Sequence, residues 1–305
     1  MLYLITSFIV SFLLCFIFIK LKHRSFVDIT SGVQKFHDWE VSRVGGVAIF
    51  LALTGVYVLF LIKEKPFSKD FLFIIISALP IFLGGLVEDL TKKVSPKTRL
   101  ILAFLSGILA YFLLDANLIR LDIPIADDLL SEFPLISIIF TAFALAGVSN
   151  AFNIIDGFNG LASGVGIIVF LSYAYVSFVV GDYFLLYFNL SVASALLGFF
   201  FWNFPYGKIF LGDSGAYTIG FLAGLSGILL INRHDQVSPW FPLLLNMYPV
   251  WETIFSIYRR KTTGYNPVDA DAFHFHTLVY KRIVKQKFKI LDKKIRNSLT
   301  SPYLW

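Results

Sequence analysis

The side chains most able to do chemistry lie in short polar stretches that interrupt an otherwise apolar chain of 305 residues. The candidate site residues, in chain order, are Lys35, Arg43, Glu88, Asp89, Lys92, Asn150, Asn153, Asp156, Asn159, Gly212, Asp213, Ser214, His274 and His276. Carboxylate oxygens are ligands that Mg²⁺ prefers in proteins, and lysine and arginine neutralise phosphate oxygens. This inventory suits the binding of a divalent cation and a diphosphate.

The amide-rich stretch between two long apolar runs carries polar side chains at a spacing of three, namely Asn150, Asn153 and Asp156. Positions three apart lie on neighbouring turns of one side of a helix, so these side chains are predicted to project together. The glycines that follow, with Asn159 between them, favour the end of the helix. A polar end on a membrane span indicates a site, because unpaired polar groups are costly in hydrocarbon. Considered alone, the stretch is equally consistent with a capped helix end in a polar loop.

Two further stretches carry carboxylates. Gly212-Asp213-Ser214-Gly215 offers a carboxylate, a hydroxyl and close backbone approach at a predicted helix start, where N-terminal amides favour phosphate. Neighbouring side chains on a helix diverge by about 100°, so Glu88 and Asp89 need not both ligate one ion. Each stretch alone also has a plain structural interpretation, as a turn around Asp213 and as a solvated loop after Glu88.

The histidine pair and one buried-looking acid complete the candidates. His274 and His276 are two residues apart, so they share a face only if their segment is extended. Glu252, near the end of an apolar run, is interpreted as an acid that packs between helices.

Composition indicates the class of protein that carries these stretches. Apolar residues make up 57% of the chain and charged residues 15%, whereas soluble domains carry about a quarter charged residues. The sequence therefore predicts an all-α, polytopic integral membrane protein with one transmembrane domain over residues 1–305. A span requires about 20 apolar residues. The nine candidate spans are 2–19, 44–62, 71–87, 100–115, 133–149, 161–180, 183–203, 214–232 and 239–257.

The distribution of Lys and Arg sets the predicted orientation. Of 26 such residues, 21 fall in the loops 20–43, 88–99, 150–160, 204–213 and 258–305. The positive-inside rule places these loops in the cytoplasm and the N-terminus outside. The net charge of +6 then reflects contact with the anionic headgroups of a lipid bilayer, and no nucleic-acid partner is predicted.

Taken together, the polar segments resemble the polyprenyl-phosphate N-acetylhexosamine-1-phosphate transferase family. The similarity runs from residue 33 to residue 285 and is strongest in Asn150-Ala-Phe-Asn-Ile-Ile-Asp156-Gly-Phe-Asn-Gly-Leu-Ala and in Leu211-Gly-Asp213-Ser-Gly. The resemblance implies that undecaprenyl phosphate attacks the sugar-proximal phosphorus of a UDP-N-acetylaminosugar. UMP leaves, and the lipid-linked sugar diphosphate initiates a cell-surface polysaccharide, of O-antigen, exopolysaccharide or teichoic type.

The resemblance also implies roles for individual residues. It makes Asp213 a Mg²⁺ ligand, assigns Glu88 and Asp89 to the metal or to the prenyl phosphate, and places Asp156 at the active site with Asn153 near the nucleotide. We predict Asn153 as a second ligand of Mg²⁺ or Mn²⁺, and Asp89, Asp156 and Glu88 as catalytic residues, with Asp89 favoured over Glu88. The resemblance matches Lys35 and Lys92 to lysines of the family and places His274 and His276 by the diphosphate or the sugar of the substrate. The other predicted substrate-binding residues are Arg43, Asn150, Asn159, Gly212 and Ser214. The resemblance further implies a bacterial inner-membrane protein with a cytoplasmic active site, and a homodimer.

The chain departs from the family pattern in three respects. Glu88 stands where the family often has an aspartate, Thr277 follows His276 where a third histidine is common, and the family usually has a span beyond the ninth. The aromatic end, Tyr303-Leu-Trp305, is consistent with the first turn of such a span.

Two other functions are open from the sequence. They are transfer of phospho-N-acetylmuramoyl-pentapeptide in peptidoglycan synthesis, and membrane transport. The short sequence and Glu88 favour polysaccharide initiation over the first. Acids clustered at one end of the spans, without an inverted repeat, favour a transferase over a transporter.

Overall fold

The computed structural model describes residues 1–21, 41–264, 273–289 and 291–305, so Lys35 lies outside the described residues. The described part is all-α, as predicted, apart from one isolated bridge between Ser42 and Ile209. The first nine helices are α1 (Leu2–Leu21), α2 (Gly45–Ile62), α3 (Ser68–Thr91), α4 (Pro96–Leu114), α5 (Pro124–Glu132), α6 (Pro134–Ile155), α7 (Leu161–Val179), α8 (Tyr183–Asn203) and α9 (Gly212–Arg233).

All of these helices except α5 are long and apolar enough to cross a membrane, which gives eight candidate spans in the described ranges. This confirms the prediction of a polytopic membrane protein. Two helices continue past the apolar runs that predicted them. Asp89 consequently lies in the last turn of α3, and Asn150 and Asn153 lie in the last turns of α6.

The predicted ninth span, 239–257, is not one continuous helix. It forms α10 (Trp240–Leu245) and α11 (Met247–Thr262), which are separated at Asn246. Pro249 has no N–H to donate to the preceding turn, so the helical hydrogen-bond ladder is interrupted there. At the break, the Asn246 backbone N–H (3.1 Å) and its side-chain Nδ2 (2.9 Å) both donate to the Pro242 carbonyl. Neither helix has the length of a span by itself.

Helix α9 is the central element of the bundle. Of an 18-residue apolar stretch of α9, 94% is buried inside the protein, compared with 22% for the equivalent stretches of α1 and α4. It packs against α6, α3, α2 and α7. A Cβ on Gly220 would lie 2.6 Å from the Val148 carbonyl oxygen on α6, so only glycine permits this contact. The first turn of α9, which carries Asp213, is therefore held inside the protein.

The described residues after α11 form short helical elements. These are α12 (Phe275–Val279), the π-helical turn Tyr280–Val284, the single turn Lys285–Lys287, the helix Lys293–Leu299 and the 3₁₀ turn Ser301–Tyr303. The Trp305 ring lies 5.8 Å from the ring of Phe200 and 5.3 Å from that of Phe204. The aromatic end that resembles the start of a further span thus packs against the end of α8.

Candidate active site

The charged candidate residues that the structure describes lie together at one end of the helical bundle. Helices α2, α4 and α9 begin there, and α3 and α6 end there. Arg43 and Asp213, which are 170 positions apart, are in contact. Asp89, Asp156 and Asp213 influence one another electrostatically. The fold therefore brings together acids and bases that the sequence scatters over separate loops.

Asp89 caps the N-terminus of α9 from a neighbouring helix. Its Oδ1 accepts a hydrogen bond from the Asp213 N–H (2.8 Å), and its Oδ2 accepts from the N–H (2.9 Å) and the hydroxyl (2.8 Å) of Ser214. The first N–H groups of a helix lack intrahelical acceptors, and negative charge is favourable beside them. Asp89 is 2% exposed, so its carboxylate fixes the first turn of α9.

Two glycines allow α9 to approach so closely. A Cβ on Gly85 of α3 would lie 2.5 Å from the Ser214 nitrogen, and one on Gly46 of α2 would lie 2.2 Å from the Gly215 nitrogen. Any larger residue at either position would push the start of α9 away from Asp89.

Two arginines bind the carboxylate of Asp213. Arg43 Nη2 donates to Oδ1 at 3.3 Å, and Arg99 Nη1 donates to Oδ2. Arg99 also lies over the ring of Tyr217, 5.6 Å from its centroid. Sequence analysis missed Arg99. The one feature of the sequence that could have indicated Arg99 is its position in the first turn of α4. The positive-inside rule already accounted for the basic residues of that loop, so Arg99 was not selected.

The amide-rich stretch that contains Asn150 and Asn153 forms the end of α6, as the sequence predicts. The helix ends at Ile155, Asp156 follows as its C-cap, and Gly160 adopts a positive φ of 78°. Asn150, Asn153 and Asp156 all line one cavity, which confirms that they project to the same side.

Asp156 sits in the cavity without a hydrogen-bonding partner for its carboxylate among the described residues. The surrounding protein withdraws it from bulk water and thereby raises its pKa to about 7. The nearby Arg43 opposes this shift in pKa, and the charges of Asp213 and Asp89 add to it. A positive ion at this point would stabilise the ionised form of Asp156.

Glu252 orients His274, which differs from its interpretation as a packing acid. Its Oε1 accepts hydrogen bonds from His274 Nδ1 (2.9 Å) and from the Phe275 N–H (2.9 Å). Burial disfavours the ionised carboxylate, but the hydrogen bonds and nearby imidazoles hold the pKa of Glu252 below its usual value. With Nδ1–H bonded to Glu252, the Nε2 of His274 is left for a ligand.

His276 stacks on His274, with ring centroids 5.2 Å apart, and packs edge-on against Phe158. Burial, the largest cause, and the neighbouring His274 lower the pKa of His276 to about 3, although Glu252 opposes the shift. His276 is consequently a neutral imidazole at physiological pH.

A cavity of about 1140 Å³ adjoins these side chains and has two chemically different parts. Its polar part is lined by Arg43, Lys97, Arg99, Asn150, Asn153, Asp156, Gly212, Arg260, Lys261, His274 and His276. Its other part runs between α4, α6 and α11 and is lined by apolar side chains such as Phe104, Phe143 and Ile254. A ligand with an anionic head and an apolar tail matches both parts.

Three predicted site residues at the end of α3, Glu88, Asp89 and Lys92, do not line this cavity. Glu88 Oε2 accepts a hydrogen bond from the Val94 N–H at 2.8 Å and so closes the loop after α3. Lys92 is exposed at the C-cap of the same helix. The structure therefore shows Glu88 in a loop-forming contact, and its catalytic role stays a prediction.

Two other predicted substrate-binding residues are part of the supporting framework. Ser214 is fully buried, and its hydroxyl donates to Asp89. Asn159 borders the cavity, but it is 3% exposed and its Nδ2 donates to Ser298 Oγ and to the Pro205 carbonyl. The Ser214 hydroxyl and the Asn159 Nδ2 are thus both engaged with protein groups.

The polar part of the cavity offers oxygen donors to a divalent cation. Asp156 and Asn153 line it, and Asp213 adjoins them. Within the described ranges, no three His, Cys, Asp or Glu side chains surround a common metal position. Mg²⁺ commonly takes only one or two carboxylates, with substrate phosphates and water completing its shell. The raised pKa and missing partner of Asp156 therefore fit Mg²⁺ that binds together with a phosphate ligand.

The fold and this site define a multi-pass membrane protein with a polar reaction chamber at one end of its helices. Comparison with known sequences gives the family: the model of glycosyl transferase family 4 matches residues 71–231, and the chain belongs to that family. It is accordingly a membrane-bound transferase.

Individual relatives agree with this membership. The chain is 29% identical to the undecaprenyl-phosphate alpha-N-acetylglucosaminyl 1-phosphate transferase of Thermotoga maritima, over 87% of this chain and 77% of the relative. It is 30% identical to the phospho-N-acetylmuramoyl-pentapeptide-transferase of Lactobacillus gasseri, over 85% of this chain and 83% of the relative. It is 28% identical to a probable undecaprenyl-phosphate N-acetylglucosaminyl 1-phosphate transferase of Bacillus subtilis, over 90% and 77% respectively.

Proposed function

We propose that this protein transfers an N-acetylaminosugar 1-phosphate from a UDP-sugar to undecaprenyl phosphate. The observation that carries the proposal is a single cavity that joins a cationic chamber to an apolar groove. Arg43, Arg99, Arg260 and Lys261 suit the phosphates of a nucleotide sugar and of a lipid carrier. The groove between α4, α6 and α11 suits the isoprenoid chain of that carrier. Two relatives named as undecaprenyl-phosphate N-acetylglucosaminyl 1-phosphate transferases support the same substrates.

In the proposed reaction, an oxygen of the prenyl phosphate attacks the sugar-proximal phosphorus of the UDP-sugar. A new P–O bond forms as the bond to the UMP oxygen breaks, and UMP leaves with that electron pair. A phosphate monoester is already largely ionised at neutral pH, so the nucleophile does not require a strong base. Catalysis then rests on positioning and on neutralising charge.

The arginines are the groups that neutralise charge in this scheme. Arg43 and Arg99 line the cavity and bind Asp213, so they can exchange a carboxylate for phosphate oxygens when substrate enters. The planar guanidinium group of each arginine can donate two parallel hydrogen bonds to a phosphate. His274, oriented by Glu252, offers Nε2 to the diphosphate or the sugar.

We further propose that Mg²⁺, for which Mn²⁺ can substitute, is held by Asp213 and Asn153 with Asp156 beside them. When bound, it would supply charge neutralisation on the diphosphate. Release of Arg43 and Arg99 to the phosphates would free the oxygens of Asp213 for the ion. The Asp156 carboxylate, which has no hydrogen-bonding partner among the described residues, would gain a cation beside it.

The proposed cellular setting follows from the basic loops. The positive-inside rule assigns the chamber to the cytoplasmic face of a bacterial inner membrane, with the N-terminus outside. In that setting, the product would initiate a cell-surface polysaccharide. The predicted homodimer stays a prediction.

A second candidate donor is UDP-N-acetylmuramoyl-pentapeptide. It is favoured by the 30% identity to a phospho-N-acetylmuramoyl-pentapeptide-transferase over most of both chains. The two donors share the transfer step and differ in the sugar substituent. Turnover of a donor panel therefore separates them.

The deciding experiment is an assay of the purified protein in lipid with undecaprenyl phosphate, Mg²⁺ and a panel of UDP-sugars. We expect release of UMP together with a lipid-linked sugar diphosphate, and loss of both when the cation is chelated. Asp213→Asn should abolish turnover while the protein stays folded.

The matched control is Asp235→Asn, which removes a fully exposed carboxylate outside the cavity. It should turn over like wild type. A protein that releases no UMP from any donor, or transports a donor without cleaving it, would refute the transferase proposal. Wild-type activity in Asp213→Asn would refute the metal assignment.

A further inference from the structure

Segment 291–305 binds the loop that carries Asp156. The Asn159 N–H donates to Asn297 Oδ1 at 2.9 Å, and the Asn159 carbonyl accepts from Ser301 Oγ at 2.6 Å. The Asn159 side chain donates to Ser298 Oγ at 3.1 Å. Asn159, Asn297, Ser298 and Ser301 are all buried. Both backbone groups and the side chain of one loop residue are thus held by a segment about 140 positions further along the chain.

An aromatic contact secures the same segment. The Trp305 indole fills the space over Gly164 in the first turn of α7, where a Cβ would lie 2.4 Å from Nε1. It also packs against Phe200 and Phe204. Segment 291–305 is therefore attached to α7 and α8 independently of its hydrogen bonds to the loop.

The loop 156–160 links the end of α6 to the start of α7, and its shape decides where Asp156 points. Among the described residues, no hydrogen bond anchors the Asp156 carboxylate itself. On the other side of the loop, a Cβ on Gly157 would lie 3.0 Å from His276 Nε2. A shift of this backbone would accordingly move Asp156 relative to Asp213 and to the imidazoles.

We propose that Asn297 and Ser301 are positioning residues, which act through Asn159 to hold Asp156 at the reaction centre. The proposal rests on the proposed transferase function, because it concerns the geometry of that site. Asn297 borders the cavity and Ser301 does not, and the proposed role requires only their hydrogen bonds to Asn159. The role differs from simple packing because it depends on an acceptor facing the Asn159 N–H and a donor facing its carbonyl.

A pair of substitutions at one position tests this role. Asn297→Leu removes the acceptor at similar size, whereas Asn297→Asp keeps a carboxylate oxygen for the same N–H. We expect Asn297→Leu to lower kcat about tenfold to a hundredfold, since misplacement of about 1 Å costs on that order. The KM of each substrate should change less than about twofold, because ground-state binding is retained. Asn297→Asp should restore kcat to within about threefold of wild type.

Thr300→Ala is the matched control within the segment. The Thr300 hydroxyl is fully buried, but its hydrogen bond goes to the Arg296 carbonyl of the same segment at 3.2 Å. Its loss weakens the segment without touching the loop, so kcat should stay near the wild-type value. If Asn297→Leu does not fold, Ser301→Ala removes a single donor to the Asn159 carbonyl and carries the same test.

Hydrogen–deuterium exchange separates this inference from the proposed function. Amides of residues 156–161 should exchange faster in Asn297→Leu and in Ser301→Ala than in wild type or Thr300→Ala, whether or not any UDP-sugar is turned over. Unchanged exchange in those amides would overturn the inference. So would a loss of kcat in Thr300→Ala equal to that in Asn297→Leu, because the segment would then act through general stability alone.

Discussion

Asp89 holds Asp213 by its backbone: the carboxylate at the end of α3 accepts hydrogen bonds from the Asp213 N–H at 2.8 Å and the Ser214 N–H at 2.9 Å. Both Asp89 oxygens are used in this way, and the residue is buried. The side chain of Asp213 is thereby directed at Arg43 and Arg99. One acid of the site positions another through the first turn of a helix.

Replacing these two acids should have different consequences for stability. Asp89→Asn puts an amide NH₂ against a backbone donor inside the protein, and a buried unsatisfied group costs about 1–3 kcal/mol. We expect its unfolding free energy to fall by about that amount and its activity to be lost. Asp213→Asn should be inactive but lose less stability, because its oxygen can still accept from one of the two arginines and no backbone donor is left unsatisfied. Thermal unfolding in detergent measures the difference, and equal stability of the two variants would contradict the capping role.

Arg99 should be required for transfer, although its position in the sequence does not distinguish it from the other basic loop residues. Arg99→Gln should lower kcat/KM at least about a hundredfold, since the loss of a preorganised charge at developing phosphate charge costs about 3 kcal/mol. Arg99→Lys should recover only part of this loss, because lysine lacks the planar fork. The measurement is UMP release as a function of donor concentration.

The control for Arg99 is Arg233→Gln. It breaks another arginine–carboxylate pair, with Asp182 at 2.8 Å, at a residue that does not line the cavity. This variant should keep its kcat/KM. Comparable losses in Arg99→Gln and Arg233→Gln would indicate that both ion pairs serve stability instead of chemistry.

The pH dependence of stability should report the buried imidazole. The pKa of His276 is lowered to about 3 in the folded protein, whereas a histidine in the unfolded chain titrates near 6.5. Below pH 6.5 the unfolded state binds a proton that the folded state does not, so this group lowers stability as pH falls. Between pH 7 and pH 5 its contribution is a loss of about 2 kcal/mol. His276→Gln should therefore lose less stability on acidification than wild type does.

Asp156 should act in the opposite direction over the same range. Its pKa is raised to about 7, so the folded state takes up a proton as pH falls below 7 while the unfolded carboxyl stays ionised. This contribution to stability is present at low pH and is lost as pH rises through 7. Asp156→Asn should consequently lose more stability on acidification than wild type. Thermal unfolding between pH 5 and pH 8 tests both variants, and parallel curves for all three proteins would contradict both assignments.

The length of the lipid carrier should matter because a second apolar cavity adjoins the groove. It has a volume of about 320 Å³ and shares Phe140, Ala144, Val148, Leu243 and Val250 with the first cavity. Its remaining lining comes largely from α9, α10 and the residues after α4. The distal isoprene units of a long carrier can occupy it, whereas those of a short carrier cannot reach it.

Gly224→Leu should reveal this difference, because Gly224 lines the second cavity and not the first. A Cβ there would lie 3.1 Å from Leu145, which lines the same cavity, so leucine would narrow it. We expect the KM for undecaprenyl phosphate to rise about tenfold, by the loss of one or two buried isoprene contacts, with little change for a short prenyl phosphate. Gly55→Leu is the control, since a Cβ there meets nothing within 4 Å. An equal change for both carriers would show that Gly224→Leu disturbs the fold instead of the lipid path.

Much of this protein follows from the sequence alone. Apolar stretches of span length identify the helices, because burial of backbone in lipid requires a helix whatever its neighbours are. The three-residue spacing from Asn150 to Asp156 and the start of α9 at Gly212 were also readable, since helical periodicity and helix ends are local properties. These local signals place Asn153, Asp156 and Asp213 at helix ends and so at the edge of the apolar core.

Only the tertiary structure determines which side chains those residues contact. The pairing of Arg99 with Asp213, of Glu252 with His274 and of Asn159 with Asn297 joins positions that are 114, 22 and 138 residues apart. No periodicity encodes such pairs, because each depends on how separate helices pack and on which small residues let them approach. The same holds for Asp89, whose role as a cap exists only because Gly85 and Gly46 admit the first turn of α9 beside it.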